Sequence, residues 1–194
     1  MNDITSEKKT VRTAALESRA HIKDDERSFW NQLIFERAHK IRAFQLAKRI
    51  HVYRDIRGEV ATMPFIEYAW ATGKDVYVPV VVADVMRHVR VTHATRWAPG
   101  GFGIHEPVPD EHGDTTDDDG FTTNDVVIVP LAAFDASCNR VGYGRGFYDR
   151  FLSATDAVSI GLAYECQKVA KVPVDIHDVP LRCVVTERQV YVRD

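Results

Sequence analysis

The sequence predicts a layered α/β fold in one domain, built on a mostly parallel sheet, and three observations carry that expectation. Residues 126–129 (VVIV) form a continuous apolar, β-branched run that stops at Pro130, as expected of a strand covered on both faces. Ahead of it the periodicity runs helix, helix, strand, helix, strand, which points to helices layered on a sheet. With 194 residues, 45% of them hydrophobic, the chain has enough material for one substantial core.

Residues 6–20 are rich in Ala, Glu, Lys and Arg and predict the first helix. Asp24 or Asp25 is positioned to cap a second helix, with Glu26 in its first turn and Phe29, Trp30, Leu33 and Ile34 as its apolar stripe. A strand is expected over residues 47–53. Gly58 then turns the chain into a helix over residues 61–71, and residues 74–82 form a nearly all-apolar strand. Strict alternation over residues 85–92 marks a half-exposed strand, and residues 97–107 form a rigid loop containing two aromatics. After residue 152, strands are expected over residues 157–163 and 183–186, with a short last one near Tyr191.

Residues 110–120 hold six acidic side chains and His112. Carboxylates and imidazole can assemble a metal site, but this spacing matches neither an EF-hand nor HExxH, and a solvated acidic loop accounts for it.

The stretch that organises the chain is residues 125–152, DVVIVPLAAFDASCNRVGYGRGFYDRFL. Gly142, Gly144 and Gly146 recur at every second position just before a helical pattern. Such a loop can crowd backbone N–H groups toward one point, with the positive end of the helix behind them. Arg140 and Arg145 would bracket an anion there, and phosphate is the natural candidate; a glycine-rich turn between strand and helix is the alternative. Neither a Walker A loop nor the dinucleotide GxGxxG pattern is present. Lys8 and Arg12, four apart on a helix, could grip one polyphosphate or form a solvated basic face. Glu59 stands at a strand-to-helix junction, as a ligand contact or as a first-turn carboxylate favoured by the helix dipole.

Net charge −3 and a pI near 6.2 argue against a general nucleic-acid binder, while leaving room for local basic patches. Cys138, Cys166 and Cys183 make no CxxC pair, which suits a reducing cytoplasm. No apolar run reaches the ~18 residues of a membrane span, so a soluble, cytoplasmic protein is expected.

The string FDASCNRVGYGRGFYDRFL closely resembles the signature of the 5-formyltetrahydrofolate cyclo-ligase family: Phe-Asp, a turn, then Arg-Leu-Gly-x-Gly-x-Gly-Tyr-Tyr-Asp. Lys8-Lys9-Thr10-Val11-Arg12 is similar to the family's Lys-x-x-x-Arg helix, Glu59-Val60 to its Glu-Val pair, and GIHEP (residues 103–107) to its Gly-Ile-x-Glu-Pro segment. The Pro, His-Asp, Thr-Glu sequence over residues 173–187 resembles its closing segment. Departures are Cys138 in place of a turn glycine, where a positive φ is expected, Arg182 in place of an acidic residue, and the residue type at Arg54.

The resemblance implies a three-layer α/β/α fold with a mostly parallel sheet, like that of sugar-phosphate isomerases and CoA transferases. It also implies ATP-dependent cyclisation of 5-formyltetrahydrofolate to 5,10-methenyltetrahydrofolate. ATP would be bound by Lys8, Lys9, Arg12, Arg140, Val141, Gly142, Tyr143, Gly144, Arg145, Gly146, Phe147 and Tyr148, with Arg140 and Arg145 catalytic. Arg54, Glu59, Phe102 and Tyr143 would contact the folate, and Asp149 with Asp178 would hold Mg²⁺. The partners expected are these two small molecules, not nucleic acid or membrane, with the chain a monomer or weak homodimer. A non-catalytic module that binds nucleotide or folate is the alternative. A sugar-phosphate enzyme that makes no use of ATP is a further one, and it would leave Lys8 and Arg12 without a role.

Overall fold

The computed structural model describes residues 4–100, 105–108, 115–116 and 121–193. The helices are α1 (Ile4–Ala20), α2 (Asp24–Ala38), α3 (Arg42–Leu46), α4 (Met63–Ala71) and α5 (Phe147–Ser153). The strands are β1 (Arg49–Val52), β2 (Asp75–Val82), β3 (Val85–Val91), β4 (Trp97–Pro99), β5 (His105–Pro107), β6 (Thr115–Thr116), β7 (Val126–Pro130), β8 (Ala133–Phe134), β9 (Arg140–Val141), β10 (Val158–Leu162), β11 (Cys183–Val185) and β12 (Val190–Val192).

Eight strands make the main sheet, in the order β12-β11-β10-β7-β1-β2-β3-β6. The five from β11 to β2 run parallel, and β12, β3 and β6 each pair antiparallel at the flanks. The apolar run of β7 has the expected cause. Val126 and Ile128 point into one core, with Ile50, Val52, Ile34 of α2, Phe44 of α3 and Phe65 of α4. Val127 and Val129 point into the other, with Phe151 and Leu152 of α5, Phe134 and Leu181. A strand clad on both faces has no polar side to display. These two cores make three layers, with α2 to α4 on one face of the sheet and α5 on the other.

α1 lies apart from both cores. Its Ala15 sits on a small cluster with Ala133, Val141 and Val172, above the β8–β9 hairpin.

Three expectations need correction. Residues 97–107, expected as a rigid loop, carry the antiparallel pair β4–β5. Neither Asp24 nor Asp25 caps α2: extended Lys23 occupies the cap position without a side-chain bond, and Asp24, Asp25 and Glu26 fill the first turn instead. A carboxylate there is still favoured by the helix dipole. The short helix α3 was not anticipated; at five residues it is too brief to show a helical period. Phe102 and all of residues 110–120 except Thr115 and Thr116 lie outside the described residues, so the aromatic and acidic-loop expectations fall there. Among the described residues no helix is long and apolar enough to cross a membrane.

Candidate active site

From β1 the chain passes through α4 to β2 on one side, and from β7 through α5 to β10 on the other. The two crossovers take opposite faces, so the carboxyl ends of β1 and β7 diverge and leave a crevice, the position where open α/β sheets bind ligands. The loop after β1 carries Glu59 and the loop after β7 carries the glycines.

The glycine loop is gripped by α1. Arg12 Nε donates to the Gly142 carbonyl at 2.7 Å. Gly144 has φ +94°, and a Cβ there would lie 3.3 Å from Arg12 Nη2, so the residue is small both for its backbone and for the guanidinium packed on it. Gly146, at φ +65°, hands the chain into α5.

At about 100° per residue, Lys8, Arg12, Ala15 and Arg19 fall within roughly 60° of one another on the helix surface. One face of α1 therefore presents three cations to the crevice. Lys9, the next residue round, is exposed.

The cations meet carboxylates. Lys8 Nζ bonds both oxygens of Asp178, at 2.7 and 2.5 Å, and Asp175 at 3.3 Å. Burial lowers the affinity of Lys8 for its proton, but the bonds and charges of the two aspartates together outweigh it and raise the pKa above the usual lysine value. Arg140, 6% exposed, donates from Nη2 to Asp149 Oδ1 at 2.7 Å, and Val179 N–H donates to the same oxygen. Burial works against the Arg140 charge and Asp149 works for it. Arg140 Nε and the Tyr148 hydroxyl are buried with no hydrogen-bond partner among the described residues, and both lie within this region.

The turn holding Glu59 is strained and heavily braced. Arg57 and Gly58 are both left-handed, at φ +49° and +76°. Their carbonyls are held by Arg19 of α1 (3.1 Å) and Arg27 of α2 (2.7 Å). Asp55 Oδ1 accepts from the backbone and hydroxyl of Thr62 and closes the loop. Glu59, 7% exposed, accepts from Ile56 N–H on Oε2 (2.9 Å) and from the Tyr143 hydroxyl on Oε1 (2.6 Å). Burial raises its pKa above the ordinary carboxylate range, opposed by those two donors and by nearby Arg19.

Lys8, Arg12, Arg140, Gly142, Tyr143, Tyr148, Asp149 and Asp178 thus gather around one crevice with Glu59 at its far side. Arg145 stands at the rim: its side chain is more than half exposed and pairs with Asp84, in the β2–β3 turn, at 3.4 Å. Val141 is buried beneath the loop, Phe147 lies under the Arg150 guanidinium, and Arg54 turns to Met63 and to the Trp97 ring. Arg19 and Arg27 were missed. Arg19 was visible in principle as the residue two turns beyond Arg12 on the same stripe. Arg27 leaves no sequence signal, because its partners are backbone carbonyls, Gly58 of the distant turn and Arg19 and Ile22 around the end of α1.

Asp149 and Asp178 are hard oxygen donors of the kind Mg²⁺ takes; Asp149 directs both of its protein bonds to Oδ1, leaving Oδ2 for another ligand, whereas both oxygens of Asp178 accept from Lys8. No group of three or more possible metal-ligating residues occurs among the described residues.

The pattern defining the 5-formyltetrahydrofolate cyclo-ligase family matches residues 4–187. The chain is 31% identical over 183 residues to the 5-formyltetrahydrofolate cyclo-ligase of Haemophilus influenzae, covering 91% of this chain and 96% of that one. It is 36% identical over 152 residues to the Escherichia coli K12 protein of the same name, covering 75% and 81%. The solved structure of Aquifex aeolicus 5,10-methenyltetrahydrofolate synthetase superposes with a TM-score of 0.82 at 29% identity, over 96% of this chain and 93% of that one. With the family pattern spanning both halves of the crevice and the fold matching throughout, this chain belongs to the 5-formyltetrahydrofolate cyclo-ligase family.

Proposed function

We propose that the chain catalyses the ATP-dependent closure of 5-formyltetrahydrofolate to 5,10-methenyltetrahydrofolate, with release of ADP and phosphate. The observation that carries this reading is the convergence of Lys8, Arg12 and Arg140 on the glycine loop, opposite a buried carboxylate at Glu59, in a chain whose relatives are named for that reaction.

The N5-formyl group cannot close directly onto N10, because oxygen would have to depart at the hydroxide level. Attack of the formyl oxygen on the γ-phosphorus of ATP expels ADP and leaves an iminium phosphate. N10 adds to the formyl carbon and gives up its proton, phosphate departs, and the carbon bridges N5 and N10. Such a site needs positioning and neutralisation of negative charge more than covalent chemistry. Lys8 and Arg12 bind polyphosphate. Arg140, buried and with Nε unspent, faces the charge that builds on the transferring group. Glu59 accepts hydrogen bonds from the edge of the folate ring, and Tyr143, with Arg54 and Phe102, lines its approach. Mg²⁺ held by Asp149 and Asp178 would neutralise phosphate charge. Arg145, at the rim, reaches nucleotide phosphate from outside. Three free cysteines and the nature of the substrates favour a cytoplasmic protein, acting as a monomer or weak homodimer.

The test is the appearance of methenyl-folate absorbance when purified protein is mixed with 5-formyltetrahydrofolate, Mg²⁺ and ATP. An ATP-dependent rise is expected, and Arg140→Met should lower kcat by about 10²-fold, as for loss of one preorganised charge donor. Folate binding without any ATP-dependent rise would support the non-catalytic module instead.

A further inference from the structure

Arg19 is 4% exposed, and its two hydrogen bonds go to a hydroxyl and a carbonyl rather than to a carboxylate. A buried arginine is ordinarily neutralised by an acid. The acid nearest in this network is Glu59, and the Tyr143 hydroxyl stands between: it accepts from Arg19 Nη1 at 3.1 Å and donates to Glu59 Oε1 at 2.6 Å. A hydroxyl between cation and anion is polarised in one direction, which shortens and strengthens its bond to the carboxylate.

Tyr143 belongs to the glycine loop, between Gly142, whose carbonyl is bonded by Arg12, and Gly144, on which the same guanidinium packs. Its backbone is therefore set by one cation of α1 and its hydroxyl by another, seven residues further along. The geometry points to a coupling device: Arg19 and Tyr143 are positioning residues that link the nucleotide loop to the folate carboxylate, so that each substrate strengthens binding of the other. Nucleotide bound on the loop holds the Tyr143 hydroxyl where it stands on Glu59 and keeps the free lone pairs of that carboxylate fixed for the folate ring. Folate that engages Glu59 holds the loop in return, since binding linkage is reciprocal. This rests on the assignment of the two substrates made above.

The experiment measures the dissociation constant of 5-formyltetrahydrofolate by calorimetry, with and without a non-hydrolysable ATP analogue and Mg²⁺, for wild type, Tyr143→Phe, Arg19→Met and Arg19→Lys. Wild type is expected to bind folate about ten-fold more tightly with the analogue present. Tyr143→Phe and Arg19→Met should reduce that factor to near one and raise the KM for folate more than they lower kcat. Arg19→Lys should restore part of it.

A second readout is the pH at which folate affinity falls on acidification. Glu59 is faced by Arg19 of α1, Asp55 and Tyr53 beyond β1, Tyr143 of the loop and Tyr148 of α5. Removing the Tyr143 donor leaves the carboxylate less stabilised, so the fall should move to higher pH in Tyr143→Phe. An unchanged coupling factor and an unchanged pH profile in that variant would overturn the device while leaving the substrate assignment intact. A wild type that binds no folate would overturn the assignment itself.

Discussion

Cys138 holds φ +62° in the turn between β8 and β9, the left-handed conformation that favours glycine, as expected at this position. Its side chain is nevertheless fully buried, with Sγ 3.5 Å from the Tyr191 carbonyl, so the residue gains packing where its backbone is strained. Substitution separates these effects. Cys138→Ala keeps the left-handed backbone and loses the thiol, and should cost about 1 kcal/mol. Cys138→Gly loses the thiol and the strain together and should be more stable than the alanine variant by about 1 kcal/mol in urea unfolding, the reverse of the order on an ordinary backbone. Contrast between equal-looking residues recurs in the loop. Arg140 precedes the glycines and Arg145 sits between the last two of them, yet it is the first that is buried, against Asp149, and the second that stands at the rim beside Asp84. Nothing in composition distinguishes them, because the distinction comes from β9, a two-residue strand that turns Arg140 inward.

At the scale of elements, α1 acts as a ruler. Its stripe of Lys8, Arg12 and Arg19 reaches in turn the closing segment at Asp178, the glycine loop at Gly142, and the Glu59 turn through Tyr143. Lys8→Ala should therefore raise the KM for ATP about ten-fold, whereas Lys9→Ala, on an exposed side of the helix, should produce the smaller loss; steady-state kinetics decides between them. The helix itself and the Lys8/Arg12 pair were legible because i, i+4 spacing is local. The role of Arg19 was not, because its partners lie in two loops brought to it by the sheet. The longer strands of the main sheet were likewise legible from their periodicity, whereas the two- and three-residue strands β4, β5, β6, β8 and β9 are too short to show one, and the antiparallel pairing of β3 and β12 is set by the hairpin turns and sheet edges rather than by the strands' own residues.

At the scale of the molecule, the parallel centre of the sheet follows from the apolar run of β7, and the placing of the crevice follows from the opposed crossovers. One buried group runs against the general pattern. His51 of β1 is fully buried against His88, Phe121 and Phe151, with neither ring nitrogen bonded among the described residues. Burial, with a smaller contribution from His88, pushes its pKa well below the usual histidine value. The unfolded chain takes up a proton near pH 6.5 that the folded chain refuses, so this site removes stability as pH falls below about 6.5, by up to about 1.4 kcal/mol per unit, until the folded value is reached. His51→Leu should flatten that decline, measured as the unfolding free energy between about pH 7.5 and about pH 5.5. A different weakness lies under α1, whose Val11 and Ala15 rest on a small apolar cluster (Ala133, Val141, Val169 and Val172) and whose other hold is the polar grip of its cations. A chain cut after residue 22 would keep both main cores nearly whole and become a receptor for its own missing segment. A synthetic peptide spanning residues 4–20, added in trans, should then restore turnover, and ATP should tighten the union, since peptide and body would share the nucleotide between them.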